Sequence, residues 1–193
     1  MKLPNKLVIK QKIEALEIFT RFETKNRYAI YHEQGKELYY AYEESNILGR
    51  NVLNRHRPLK LIIIDNNKNE QLIIERKFYF MFADYTIYDK NNRKIGEIKQ
   101  RFKWFKRLFD IYNESENIVL ECRSKFSQFW TFNIFRGPNK AGSIKKKWSG
   151  FGKEMFTDAD TFHVDMGTLT DKEKVLALAT AFAVDLQFFE RKN

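Results

Sequence analysis

The stretch VLALATAFAVDLQFF, Val175 to Phe189, is apolar on nearly every face of the helix it would form. A helix lying on a core shows one apolar stripe; a helix apolar all round needs an enclosure on every side. A bilayer is one such enclosure, but about 15 residues at about 1.5 Å each span only about 22 Å of a core roughly 30 Å thick. Asp185, inside the run, adds the cost of a carboxylate in hydrocarbon. The enclosure is therefore expected to be the protein itself. Thr170 with Glu173 three residues on forms a capping-box signature, so the helix is expected over about 170–189.

The rest of the chain must build the wall. From Tyr28 to Trp148 it repeats one unit: a short aromatic and β-branched run, a polar turn, and a second such run. The units are YAIYHEQGKELYYAY, LIIIDNNKNEQLIIER, TIYDKNNRKIGEIKQ, DIYNESENIVLECRS and FNIFRGPNKAGSIKKKW, with Asn, Asp, Gly and Pro in the turns. The later ones recur about every 24 residues, which suits a strand pair with its turn. Ile87, Ile95 and Ile98 alternate with polar neighbours, as a sheet with one buried face requires. Five hairpins give about ten strands; Leu7 to Lys10 and Phe162 to Met166 can add two more. A sheet of that size curls or closes, because strands twist and open edges aggregate. The expected fold is mainly β, a curled antiparallel sheet with the C-terminal helix through its middle.

Length and composition agree. The 193 residues suit a single domain spanning 1–193, and 43% hydrophobic with 16% aromatic residues is enough for a core. The net charge of +10 favours phosphate-bearing partners, whether anionic lipid or nucleic acid. The lone cysteine, Cys122, makes no intramolecular disulfide and no thiolate cluster, and points to a reducing compartment. The opening MKLPNKLVIKQK has charges where a signal peptide needs its apolar run. The expected location is cytoplasmic, peripheral to a membrane.

Several stretches resemble the phospholipid scramblase family: VIKQKIEALEIFTRFETKNRYAI (Val8 to Ile30), ELYYAYEESN (Glu37 to Asn46) and FTDADTF (Phe156 to Phe162). The likeness continues in HRPLKLIIIDN (His56 to Asn66), GSIKKKWSGF (Gly142 to Phe151) and the closing DLQFFE (Asp185 to Glu190). The resemblance implies a tubby-like fold: a closed antiparallel barrel of roughly twelve strands around a hydrophobic C-terminal helix. It further implies calcium-stimulated phospholipid movement between leaflets, binding to anionic membranes and, in some members, nuclear import and DNA binding. Family members from animals carry a proline-rich N-terminal region and a cysteine-rich palmitoylation patch. This chain starts almost at the domain, so recruitment through such a region is not expected; the stretch comparable to the patch, ERKFYFMFADY (Glu75 to Tyr85), has no cysteine to acylate.

The resemblance also places a calcium-binding loop at DADTFHVDMGTLTD, Asp158 to Asp171. Asp158 and Asp160 match the first two ligand positions, but Phe162, His163 and Leu169 stand where a third ligand, a turn glycine and a closing acid belong. Weak calcium binding by Asp158 and Asp160 is one reading; the other is a strand with turn aspartates and helix-favouring acids. Two basic, aromatic segments suit a lipid surface better. KQRFKWFKRLF (Lys99 to Phe109) offers Arg101, Lys103, Trp104, Lys106 and Arg107; SIKKKWSG offers Lys145, Lys146, Lys147 and Trp148, and resembles the family's nuclear-import stretch. Cations attract lipid phosphates while aromatic rings settle at headgroup depth. Strand alternation explains the same residues equally, with the rings inside and the cations in water. His32, His56 and His163 are dispersed, and no phosphate loop, nucleophile elbow, HExxH or CxxC is present, so no covalent catalysis is expected. The expected function is binding of anionic phospholipid membranes with transbilayer lipid movement; the alternative is a soluble interaction or nucleic-acid-binding module with the same fold.

Overall fold

A computed structural model of the chain describes residues 1–11, 26–44, 56–103, 106–125, 127–147 and 161–189, without the side chains of Phe102, Lys103 and Lys106. The segment Glu14 to Phe19, given no chemistry on sequence grounds, lies outside the described residues.

Each of the five repeated units is a hairpin. They are β2 (Arg27–His32) with β3 (Glu37–Glu43), β4 (Leu59–Ile64) with β5 (Glu70–Arg76), β6 (Asp84–Asp89) with β7 (Lys94–Lys103), β8 (Lys106–Asn113) with β9 (Ile118–Lys125), and β10 (Thr131–Arg136) with β11 (Asn139–Lys147). The first strand, β1 (Lys6–Gln11), and the last, β12 (Thr161–Asp165), pair with each other. Every neighbour is antiparallel and the sheet is a closed barrel of twelve strands, so no edge is left to template aggregation.

The turns show why the unit repeats. In three of them an Asx side chain accepts two backbone amides: Asp65 from Asn67 and Asn69, Asp89 from Asn91 and Arg93, and Asn113 from Ser115 and Asn117, at 2.9–3.0 Å. Each of these turns then passes through positive φ, at Lys68, Asn92 and Glu116, and each hairpin carries a register shift beside its turn. That is a type I turn closed by a left-handed residue and a bulge, which lets two twisted strands meet.

Inside runs α1, Asp171–Phe188, capped by Thr170 with the reciprocal Glu173 contact. Leu176 to Leu186 are all buried. They form one cluster with inward residues of the wall such as Leu61, Ile74, Tyr85, Phe109 and Phe132. Gly96 on β7 makes room for the helix: a Cβ there would sit 2.7 Å from Leu176 and 2.4 Å from the Tyr112 carbonyl. Asp185, expected to be costly in hydrocarbon, is buried and accepts a 2.6 Å hydrogen bond from the Tyr28 hydroxyl. Among the described residues no helix is long and apolar enough to cross a membrane. Cys122 is fully buried in the wall, and burial pushes its thiol well above the ordinary range, so little thiolate forms.

Candidate functional site

Antiparallel order sorts the connections between strands onto two ends of the barrel. The hairpin turns and the N-terminus of α1 share one end; the connections β1–β2, β3–β4, β5–β6, β7–β8, β9–β10 and β11–β12 share the other, where α1 finishes. The contacts agree: Arg136 and Glu114, beside turns, bind Glu173 and Lys172 at the helix start. Tyr79 and Trp130, from the β5–β6 and β9–β10 connections, meet Gln187 and Phe189 at its finish. Of the exposed large apolar side chains, Ile118 lies at the turn end. Phe78, Phe80, Met81, Phe82, Phe129 and Trp130 all lie at the connection end.

The last turn of α1 has no basic residue of its own to meet its negative pole. The wall brings cations to it. Arg107 alternates with inward Phe109 and Ile111, and its guanidinium lies 4.7 Å from the Phe188 ring and 5.2 Å from that of Phe129. Lys146 alternates with inward Ile144, is 9% exposed, and places its ammonium 4.1 Å from the Phe189 ring. Arg76 continues the inward row of Leu72 and Ile74, lies over Tyr79 and Tyr85, and donates to the Arg57 carbonyl at 3.2 Å. Arg107 and Lys146 thus meet the rings of the helix terminus, and Arg76 lies under Tyr79, which bonds Gln187 of α1; each of the three cations can gain a cation–π contact. One Arg107 nitrogen is buried with no hydrogen-bond partner, and desolvation lowers the Arg107 pKa from its ordinary value.

Behind this collar lies a buried polar chain. Glu43, fully buried, receives Arg57 Nη2 at 3.0 Å and Asn26 Nδ2 at 2.7 Å, and the Asn26 carbonyl accepts from Gln11 at 3.3 Å. The chain ties β1, β3 and the start of β4 together at the end where connections are longest.

The residues singled out by sequence separate into groups. Lys145 and Lys147 point outward and are exposed, whereas Lys146 between them is buried, so the three lysines do not form one surface run. Arg101 faces out, but Asp110 at 3.3 Å and the Tyr112 hydroxyl at 3.2 Å engage it. Lys103 and Lys106 pair at the end of the β7–β8 hairpin. Trp104, Trp148, Asp158 and Asp160 lie outside the described residues. On the outer face Lys10, Lys147 and His163 line an open groove of about 470 Å³. Burial first, then these two lysines, lower the His163 pKa. Among the described residues no group of three or more His, Cys, Asp or Glu is placed to hold a metal ion.

Sequence reasoning named Arg107 and Lys146 as surface cations and overlooked Arg76. Counting by two from Ile111, Ile144 and Ile74 reaches all three, so the inward collar was encoded in the strand period.

A family model described as Scramblase matches residues 1–191. The chain is 31% identical to mouse phospholipid scramblase 1 over 97% of its own length and 62% of that protein's. It is 30% identical to human phospholipid scramblase 2 over 96% of its length and 67% of the relative's. A phospholipid scramblase family protein of Schizosaccharomyces pombe is 25% identical over 81% of the chain and 44% of its own length. The chain thus spans about three fifths of the mouse protein that it matches. No solved structure gives a significant match. With its closed twelve-stranded barrel, its enclosed C-terminal helix and a match running through residue 191, the chain belongs to the scramblase family.

Proposed function

We propose that this chain binds anionic phospholipid membranes and takes part in moving phospholipid between leaflets, without a covalent step. The observation that carries this is the family match over residues 1–191; relatives named phospholipid scramblase align over nearly the whole chain. The +10 net charge supports an anionic partner, and exposed Lys145 and Lys147 suit headgroup phosphates. Lys103 and Lys106, whose backbones pair at the end of the β7–β8 hairpin, add two further cations to that end of the barrel. The protein lies on the cytoplasmic face as a peripheral component.

The buried helix limits how lipid can move. Leu176 to Leu186 fill the barrel, so a headgroup has no route past them while α1 stays in place. Transfer then proceeds along the outside of the protein or after α1 withdraws. Calcium is proposed as a weak stimulus acting through Asp158 and Asp160. Fluorescent-lipid scrambling in proteoliposomes, with and without calcium, tests the whole reading; equal bleaching kinetics in protein-free and loaded vesicles would reject it. Calorimetry at millimolar calcium tests the metal by itself, and absence of heat removes it.

The same charge also fits a second reading, a soluble interaction or nucleic-acid-binding module. Vesicles and DNA offered together distinguish the two: lipid wins under the first reading and DNA under the second.

A further inference from the structure

The outer groove of about 470 Å³ runs over β2, β1, β12 and the end of β11, on the side wall of the barrel. The strand register sets out its floor. Lys10 of β1 and Lys147 of β11 stand opposite Thr161 on its two sides, and two residues along β12 Val8 and Lys145 flank His163 in the same way. With strands about 4.8 Å apart, the Lys10 and Lys147 backbones are roughly 10 Å from each other across the short Thr161 side chain. Both lysines are exposed, and among the described residues no acid pairs with either. The Lys10 ammonium rests 5.3 Å from the Tyr31 ring. Farther along the groove, His32 Nδ1 accepts the Gln34 amide at 3.1 Å, which leaves Nε2 to donate. The nearby acids are already engaged: Glu33 pairs with Lys6 at 3.4 Å, Glu37 accepts the Tyr31 hydroxyl at 2.9 Å, and Asp165 accepts the Gly167 amide at 3.1 Å. Burial first, then Lys147 and Lys10, lower the His163 pKa, as a positive field does.

We propose that this groove is a binding site for a small, water-soluble phosphomonoester, with Lys10 and Lys147 meeting the phosphate from either side of Thr161 and the His32 and His163 rings bordering it. The proposal is independent of the membrane reading. Charge selects the ligand: a phosphomonoester carries about −1.5 to −2 near neutral pH, which two lysines match, whereas the phosphodiester of a nucleic acid carries a single charge. Size agrees, since small-ligand sites occupy roughly 300–1,000 Å³. Surroundings favour a ligand from water over a lipid headgroup: none of the exposed large apolar side chains lines the groove, so it has no ring to settle in a bilayer interface.

Titration with inorganic phosphate near neutral pH, followed by NMR of the histidine rings, tests it, with chloride at equal ionic strength as the blank. The His163 ring signals should move and saturate with phosphate but not with chloride, and glycerol phosphate should move the same signals. In the double variant Lys10→Gln with Lys147→Gln the dissociation constant should rise about tenfold or more, because two charged donors are lost. Thermal unfolding should be unaltered, since both side chains are exposed. Lys90→Gln, on the β6–β7 turn, should bind phosphate like the parent. The proposal is overturned if both phosphates leave the rings unmoved, or if the double variant binds them as the parent does. It is equally overturned if neither soluble phosphate acts while vesicles containing phosphatidic acid, or a short DNA duplex, bind the parent and not the double variant; the groove then serves a lipid headgroup or a nucleic acid.

Discussion

At one end of the barrel, short turns satisfy their own backbone with Asp65, Asp89 and Asn113, and a capped helix begins. At the other, with the β7–β8 and β9–β10 connections as exceptions, longer connections join the strands, rings stand in water, and the helix ends among buried cations. The electrostatics divide in the same way. At the turn end, acids are held charged: hydrogen bonds lower Asp65, Asp89 and Glu114, and Glu173 is lowered on balance because Arg136 and Thr170 outweigh its burial. At the connection end, desolvation works against charge, raising Asp84 and lowering Arg107. At the turn end these acids are engaged by their own neighbours, whereas the connection end offers a partner desolvated cations and exposed rings.

The largest test of this contrast is Glu43→Ala at the connection end. It removes the carboxylate that Arg57 and Asn26 bond in the interior and should cost about 3–5 kcal/mol in urea unfolding, as removal of one member of a buried pair does. A loss below that range would mean the buried chain does not hold this end together. Next is Thr170→Ala at the turn end, expected to cost about 1 kcal/mol by the same measurement because only the helix cap is lost. Smaller again is Arg107→Met. Its guanidinium already has an unbonded nitrogen, so an apolar side chain of similar length should change stability by less than about 1 kcal/mol. A drop in vesicle sedimentation at unaltered stability would then mark the cation as functional.

The finest distinction is by pH. Asp65, Asp89, Glu114 and Glu173 have folded pKa values below their ordinary ones of 3.8 or 4.5, so their stabilisation is complete above those values and is lost as pH falls through the folded ones. The lowered His163 acts earlier: the unfolded chain takes up its proton first, so stability begins to fall as pH drops below the ordinary 6.5. Hydrogen exchange should therefore show the turn amides of Asn67 and Asn91 losing protection only in the acid range. His163→Gln should remove the earlier decline seen in thermal unfolding.

Much of the architecture was legible in local pattern. The apolar run without a stripe demanded an enclosure, the repeat near 24 residues marked successive hairpins, and the pair Leu7 to Lys10 and Phe162 to Met166 fell within one residue of β1 and β12. The site was legible only as composition. The segment Lys99 to Phe109 and the run Lys145 to Lys147 read as two cationic surfaces, yet among the described side chains Arg107 and Lys146 turn inward, and Arg76 went unnoticed because it sits at the end of a strand whose buried residues are otherwise apolar.

The amino-acid order alone determined that there would be hairpins, a helix that cannot face water and an excess of positive charge, because turn chemistry, period and hydropathy act over a few residues. The register by which the wall closes, the gathering of Phe78, Phe80, Met81 and Trp130 on one rim, and the meeting of Arg107 and Lys146 with Phe188 and Phe189 were decided only by the tertiary structure. These partners lie far apart in the chain, and only the closed antiparallel register brings alternate connections to the end where the helix stops.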